Sequence, residues 1–422
     1  MRDRTPTRAL ENGALRYGVY AEDGSLLRHE YLALEDDPTD PGTELSKATL
    51  LQDSTEVSLF GSAADRTIDE AFAGIAGQLK LIKSDMAAIT LTVQDTNGKP
   101  IPEVLVQGIL SESGQEVYTN SSGVAAGYIG QGAQVIKVSG YADVADYSET
   151  LTVVKGTSIS KTWKLATVDF LKITASKSIK FSGNVQSVDG DIGAAGGGGG
   201  GGYGAGWSGG GSYHGGGNGG AGGDVVSFSG LAVVPNQTYS IVVGTGGAGG
   251  KNVAIRTAYG NDATGNPGGK GGNSSGFGYT ATGGEGGLGG RGGRTPANGN
   301  GNGGIGAMDS GNGSTATAAT KGGDGTKTMH TAFNTTTPYG GGGGGALSFR
   351  STGSVLPGGK PGGGKGGSDR GNGSNGTAYL GGGGGGGGGY YWYDDDSIES
   401  GGDGGKGGSG CVAIRMHLKS AA

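Results

Sequence analysis

Apolar and polar positions alternate over short stretches for most of this chain's first 240 residues, apart from one early segment where the spacing is helical. The pattern then gives way to glycine and resumes only in the last dozen residues. Leu15–Tyr20 and Leu26–Leu32, separated by Asp23-Gly24, predict a hairpin. Residues 35–42 form a turn-rich connector. Leu45–Leu51 and Ile68–Ile82 predict helices, the second with Ile68, Phe72, Ile75, Leu79 and Ile82 on one face and Asp65 or Thr67 as its cap. That stripe suits either a core face or a coiled-coil seam between identical chains. Between residues 88 and 166, alternation at Ile89–Val93, Gln134–Val138 and Thr150–Val154, with Asn97-Gly98 as a turn before Pro100–Val106, predicts six or seven short strands in a small β-sandwich.

The third region begins with strand-like Val168–Thr174, Ser178–Phe181, Val225–Phe228, Leu231–Val234 and Tyr239–Val243, and closes with Cys411–Leu418. The closing run puts Val412, Ile414, Met416 and Leu418 on one face, as in a half-buried strand. A lone terminal strand needs partners, so the upstream strands and this one enclose the glycine tracts within one β domain.

Most of the chain's 103 glycines fall between residues 193 and 410, as uninterrupted runs such as Gly381–Gly389 and as Gly-Gly-X triplets. Ordering such a backbone costs about 1–2 kcal/mol per residue with no side chain buried in return. The segment is therefore disordered, or its backbones satisfy one another. Collagen is excluded, because only 11 prolines occur and glycine fills two places in each triplet. With both ends anchored, the tracts are expected to form an ordered insertion of polyglycine II helices, whose N–H and C=O groups all point outward and bond laterally. Lys251, Glu285, Arg291, Lys321 and Lys406 are then X positions facing water. Gly381–Gly389 would span roughly 28 Å at ~3.1 Å per residue.

Charge narrows the function. A net charge of −6 argues against a nucleic-acid partner. The start lacks an apolar signal-peptide region and no 18-residue apolar run occurs, so neither a signal peptide nor membrane insertion is expected. The single cysteine, Cys411, reads as a small buried residue on its strand. G-x-G-x-x-G matches carry no information in a glycine-saturated segment. Asp324 and Asp403 fall outside the frame of calcium-binding nonapeptides, and Arg291-Gly-Gly-Arg294 reads as a solvated face. The histidines at 29, 214, 330 and 417 lack metal-ligand spacing. The expectation is no enzyme, no metal and no cofactor.

What interrupts the glycines is aromatic: Tyr390, Tyr391, Trp392 and Tyr393 followed by Asp394, Asp395 and Asp396; Tyr203, Trp207, Tyr213 and His214; and Phe333 with Tyr339. Rings at a bundle end could stack on sugars or partner side chains, with carboxylates bonding hydroxyls. The same rings could instead cap the bundle or pack on the β domain. Tyr390–Asp396, Trp207, Tyr213, Phe333 and Tyr339 are the receptor-binding candidates.

Three resemblances extend this reading. Pro41-Gly-Thr-Glu-Leu-Ser-Lys-Ala-Thr-Leu-Leu51, then Leu59-Phe-Gly61 and Asp69-Glu-Ala-Phe72, resembles the amino-terminal module of tail-fibre and minor tail proteins in phages and prophages of Firmicutes, departing from the usual form at Glu44 and Ser46. Residues 88–166 resemble prealbumin-like or carboxypeptidase-regulatory-like modules. The glycine tracts closing in Gly407-Gly-Ser-Gly-Cys-Val-Ala-Ile-Arg415 resemble the glycine-rich domain of phage tail proteins and the polyglycine tip adhesins of T-even-like phages. They imply a mainly β, multidomain chain: an α+β virion-attachment module at 1–86, an Ig- or prealbumin-like sandwich at 87–166 and a glycine-rich adhesin-like domain at 167–422. The implied protein is a homotrimeric tail fibre, assembled in the bacterial cytoplasm, that joins other tail or baseplate proteins at its amino end and a host glycan or protein at the other. The alternative is a virion stalk or decoration without a receptor.

Overall fold

The computed structural model describes residues 15–20, 25–32, 85–206, 215–256, 264–290, 321–325, 328–329, 337–346, 356–368, 370–392 and 400–419. The chain divides into two compact units, Met1–Asp85 and Met86–Ala422. In the first, β1 (Leu15–Tyr20) and β2 (Leu26–Leu32) form the expected antiparallel hairpin, with a register shift between Val19 and Tyr20. The helices expected at Leu45–Leu51 and Ile68–Ile82 lie outside the described residues.

The second unit opens with seven strands: β3 (Met86–Asp95), β4 (Leu105–Leu110), β5 (Glu116–Tyr118), β6 (Val124–Gly130), β7 (Gly132–Val138), β8 (Tyr147–Val153) and β9 (Ser158–Leu165). Their order is β8-β7-β4-β6-β3-β9, with β5 against β4. After β3 the Asp95 carboxylate accepts the N–H groups of Asn97 and Lys99, and Gly98 adopts φ 88°, so the Asn-Gly turn forms where it was expected. Alternate side chains supply one buried cluster that includes Ile89, Leu91, Ile109, Ile136 and Trp163. The two ends of the strand order meet around it. Glu149 of β8 accepts from Lys161 Nζ at 2.8 Å and Trp163 Nε1 at 2.7 Å on β9, and the Tyr147 and Trp163 rings meet edge to face at 4.8 Å. Lys161 occupies the row of Ile159 and Trp163, so its charge hides the alternation of β9 from a pattern reading.

The rest of this unit is built on a four-stranded antiparallel sheet of order β10-β22-β12-β14, formed by β10 (Phe170–Ile173), β12 (Val185–Gly193), β14 (Val225–Ala232) and β22 (Cys411–Leu418). A small ladder pairs β11 (Lys177–Ile179) with β15 (Tyr239–Ile241). Three further pieces complete it: β13 (Tyr203–Gly206) with β16 (Val253–Arg256), the hairpin β17 (Ser274–Gly276) to β18 (Tyr279–Ala281), and β19 (Thr328–Met329) with β20 (Thr337–Pro338). β21 (Tyr390–Trp392) pairs with β13. The protein is mainly β with several sheets, and the described residues contain no α-helix.

Two expectations need correction here. The stretch Val225–Phe228 and the start of Leu231–Val234 run together as one strand, β14, through Gly230 at φ 64°, and Val233 and Val234 lie beyond its end. The closing strand is not half-buried: Cys411 and Ala413 on its second face are as buried as Val412 and Ile414 on the first, because Met329 and Tyr339 cover that second face. One of the sheet's two inner strands, β12, gives no strand signal because Asp189-Gly190-Asp191 has the composition of a turn. Its glycine serves packing instead. A Cβ on Gly190 would lie 2.3 Å from Phe228 Cζ, so the ring on β14 lies directly over the bare backbone of β12.

From this sheet the glycine tracts run out and back, bonded sideways with a period of three. Along 195–203, N–H groups donate in rotation to three tracts: Gly196 and Gly199 to the carbonyls of Gly408 and Gly405, Gly197 and Gly200 to Ala221 and Asn218, and Gly198 and Gly201 to Gly269 and Asn266. Carbonyls of the same residues accept from three others: Gly196 and Gly199 from Gly247 and Gly250, Gly197 and Gly200 from Gly384 and Gly387, and Gly198 and Gly201 from Gly287 and Gly290. Tract 195–203 is thus surrounded on all sides. The uninterrupted runs Gly196–Gly202, Gly340–Gly345 and Gly381–Gly389 are all buried. A Cβ on Gly198 would sit 1.9 Å from the Ala248 carbonyl oxygen, and one on Gly199 2.1 Å from that of Gly385. The outer tracts carry the triplets. Thr245, Ala248 and Lys251 are exposed, as are Thr282, Glu285 and Leu288, because every third residue points away from the neighbours. Glu285, Lys251, Lys321 and Lys406 face water as expected; Arg291 lies outside the described residues.

Candidate functional site at the far end of the tracts

Tyr203 stands nine residues along its tract from Ala194, which lies beside the sheet. There the glycine pattern stops and a small parallel sheet begins, of order β16-β13-β21. Tyr203 pairs with Val253, Gly204 with Ala254 and Tyr390, Ala205 with Ile255 and Tyr391, and Gly206 with Arg256 and Trp392. Two aromatic interruptions far apart in sequence therefore leave the tracts side by side, in register and in the same direction. The sequence signal for β16 is the period of two at Val253 and Ile255.

Tyr203 is only 2% exposed, and burial pushes its phenol pKa up. Its N–H donates to the Gly215 carbonyl at 3.1 Å, and Val253 N–H donates to the Gly202 carbonyl at 3.2 Å, so the lattice continues into the first residues of the small sheet. Two residues before β16, Lys251 Nζ and the Asn252 side chain converge on Asp403, each at 2.8 Å, and Asn252 N–H adds a third bond at 2.9 Å. Partial burial raises the Asp403 carboxyl pKa, but the Lys251 and Asn252 contacts outweigh it and leave the pKa lowered. Asp403 is thus a staple between neighbouring tracts. Asp324 does the same elsewhere, accepting from Lys360 N–H and from Lys321.

The candidate residues separate into three groups. Tyr390, Tyr391 and Trp392 are on β21 at the far end. Tyr393, Asp394, Asp395, Asp396, Trp207, Tyr213 and Phe333 lie outside the described residues. Tyr339 is at the opposite end, 1% exposed, with its hydroxyl donating to the Ala194 carbonyl at 2.9 Å. A Cβ on Gly193 would lie 2.4 Å from its ring, so Tyr339 fills space above a glycine strand and is closed to any surface ligand. Of the histidines, His417 bonds Asp189 at 2.8 Å. Among the described residues, no three His, Cys, Asp or Glu side chains group to hold a metal ion.

Residues 174–417, more than half of the chain, match the family described as glycine-rich domain. The chain belongs to the glycine-rich domain family. No curated protein matches it. Among solved structures, the Bacillus anthracis TIE protein aligns at 20% identity with a TM-score of 0.17, over 26% of this chain and 23% of that one. The alignment thus spans less than a quarter of that protein, and a score so low carries no argument about fold or function.

Proposed function

We propose that this glycine-rich domain protein is a tail-fibre-like attachment protein of a phage or prophage. In this reading residues 1–86 join it to other tail or baseplate proteins, residues 87–166 are a sandwich-like spacer, and residues 167–422 are the tip that meets a glycan or protein on the bacterial surface. The tip is a bundle of polyglycine II helices mounted on the four-stranded sheet. The three-residue rotation of hydrogen bonds around tract 195–203, with neighbours on every side, supports that reading of the bundle. Trimerisation and a place in the virion follow from the resemblance of the amino-terminal module and remain part of the proposal.

The observation that carries the adhesin reading is the placement of Tyr390, Tyr391 and Trp392 beside β13 at the end remote from the sheet. A rigid rod whose aromatic residues gather at its far end suits multivalent stacking on a surface ligand. The test is saturable binding of the labelled full-length protein to a panel of Firmicutes cells. Saturable binding that falls in Tyr391→Ala and Trp392→Ala supports the proposal. Binding to no strain, or binding indifferent to both substitutions, overturns it.

A second reading has its own support. Tyr203 and Tyr339 are buried among glycines, so at least these two interruptions act as packing. If every interruption does so, the rod is a virion stalk or decoration without a receptor.

A further inference from the structure

The seven-stranded module and the glycine-bearing sheet meet through loops: a backbone bridge runs from Gly140 and Ala142 to Lys180, Asn184 Nδ2 donates to the Pro100 carbonyl at 3.2 Å, and a cluster of side-chain bonds lies beside them. Tyr141, in the segment between β7 and β8, is 8% exposed. Its hydroxyl accepts from Leu105 N–H at 2.7 Å on its own side and donates to Asn236 Oδ1 at 2.5 Å across the joint. Asn236 returns the contact: its Nδ2 donates to the Glu103 carbonyl at 2.8 Å, while its N–H donates to the Phe181 carbonyl at 3.1 Å. One asparagine thus bonds both bodies.

Backbone conformation sets this pair apart. Asn236 has φ 61° and Glu103 has φ 55°, both in the left-handed region that non-glycine residues enter at a cost. Few residues outside glycine share it among those described, and these two are hydrogen-bonded to each other across the joint. For Asn236 the Val234–Gln237 turn, with Pro235 before it, supplies that conformation, whereas Glu103 lies in no such turn bond and takes it beside the joint. Around them, Gly183 N–H donates to the Pro102 carbonyl at 2.9 Å, and a Cβ on Gly183 would come within 3.1 Å of both Pro102 and Glu103. Beside this contact, Asp143 accepts from Ser182 N–H at 3.0 Å and from the Ser182 hydroxyl.

We infer that Tyr141, Asn236 and Glu103 form a latch that fixes the mutual orientation of the seven-stranded module and the glycine domain, which the Lys180 backbone bridge tethers, and that opening it loosens that orientation without unfolding either body. Tyr141 is the pin, because its one hydroxyl satisfies a donor on one body and an acceptor on the other. Asn236 is the catch, seated at the third position of the Val234–Gln237 turn, whose Gln237 N–H donates to the Val234 carbonyl at 3.2 Å. The latch makes the glycine rod a rigid continuation of the module beneath it.

Distance measurement between two spin labels on the full-length protein tests this. Thr152→Cys and Ala248→Cys place labels on exposed positions of the two bodies, and the native Cys411 is fully buried and does not compete. The latched protein gives one narrow distance. Asn236→Gly keeps the left-handed backbone without strain but removes the side chain; it is expected to broaden and shift that distance while leaving the melting temperature nearly unchanged. Tyr141→Phe is expected to broaden it as well. If Tyr141→Phe fails to fold, Asn236→Gly decides alone. A narrow distance unchanged in Asn236→Gly overturns the inference.

Discussion

Gly199 shows at the scale of one residue what the glycine tracts require. Its missing Cβ leaves room for the Gly385 carbonyl, which a methyl group would meet at 2.1 Å. Gly199→Ala therefore has to push two backbones apart, and overpacking of this kind costs roughly 1–3 kcal/mol or more. Ala248, an exposed X position, makes no such demand, and Ala248→Ser is expected to stay within about 0.5 kcal/mol of the parent. Thermal unfolding of the two variants checks the contrast; equal melting temperatures would contradict it. This distinction was legible in the sequence, because an uninterrupted glycine run marks a tract enclosed on every side and a Gly-Gly-X repeat marks one with a wet face. Asp143 was not legible, since nothing local announces a carboxyl 2% exposed against Ser182. Burial raises its pKa above the ordinary 3.8, outweighing the Ser182 bonds. A raised pKa in the folded state means the contribution is complete below about 3.8 and is lost as pH rises through the folded value. Asp143→Asn cannot ionise, so it is expected to be more stable than the parent at pH 7, with the difference shrinking in acid. Denaturant titrations at several pH values measure this, and a variant less stable than the parent at pH 7 would count against it.

Elements tell a different story from residues, because some strands were hidden by the residues that make them work. β12 carries Asp-Gly-Asp at its centre, yet it is the inner strand against which β22 and β14 both pair. Its glycine admits the Phe228 ring, a requirement set by a residue on another strand and invisible to any local pattern. β6 is hidden for a similar reason: a Cβ on its Gly127 would lie 2.4 Å from the Leu110 carbonyl oxygen. β22, by contrast, was plain from its period of two, and only the burial of its second face needed the structure. Closure of the seven-stranded module rests on Glu149, whose pKa is lowered by its bonds to Lys161 first and then Trp163. A lowered pKa contributes stability above the unfolded value near 4.5 that is lost as pH falls through the folded one. Glu149→Gln is thus expected to melt lower than the parent at pH 7 and to converge with it near pH 3. A gap of the same size at both pH values would remove the ion pair from the explanation.

For the whole molecule, sequence located the glycine domain and its enclosing strands, while the joining of residues 86–422 into one compact unit emerged only from contacts between distant loops. Its candidate site was half legible: the aromatic interruptions stood out, but composition could not separate Tyr339, closed in beside the sheet, from Tyr391 at the far end. Everything proposed for the tip depends on the tracts being an ordered, laterally bonded lattice. Amide hydrogen exchange tests that most directly. Gly196–Gly202 and Gly383–Gly388 donate into buried bonds and are expected to exchange far more slowly than unstructured glycine, with protection approaching that of β12 and β22. Exchange of these two runs at the rate of a free glycine chain, in a protein whose four-stranded sheet remains protected, would contradict the account.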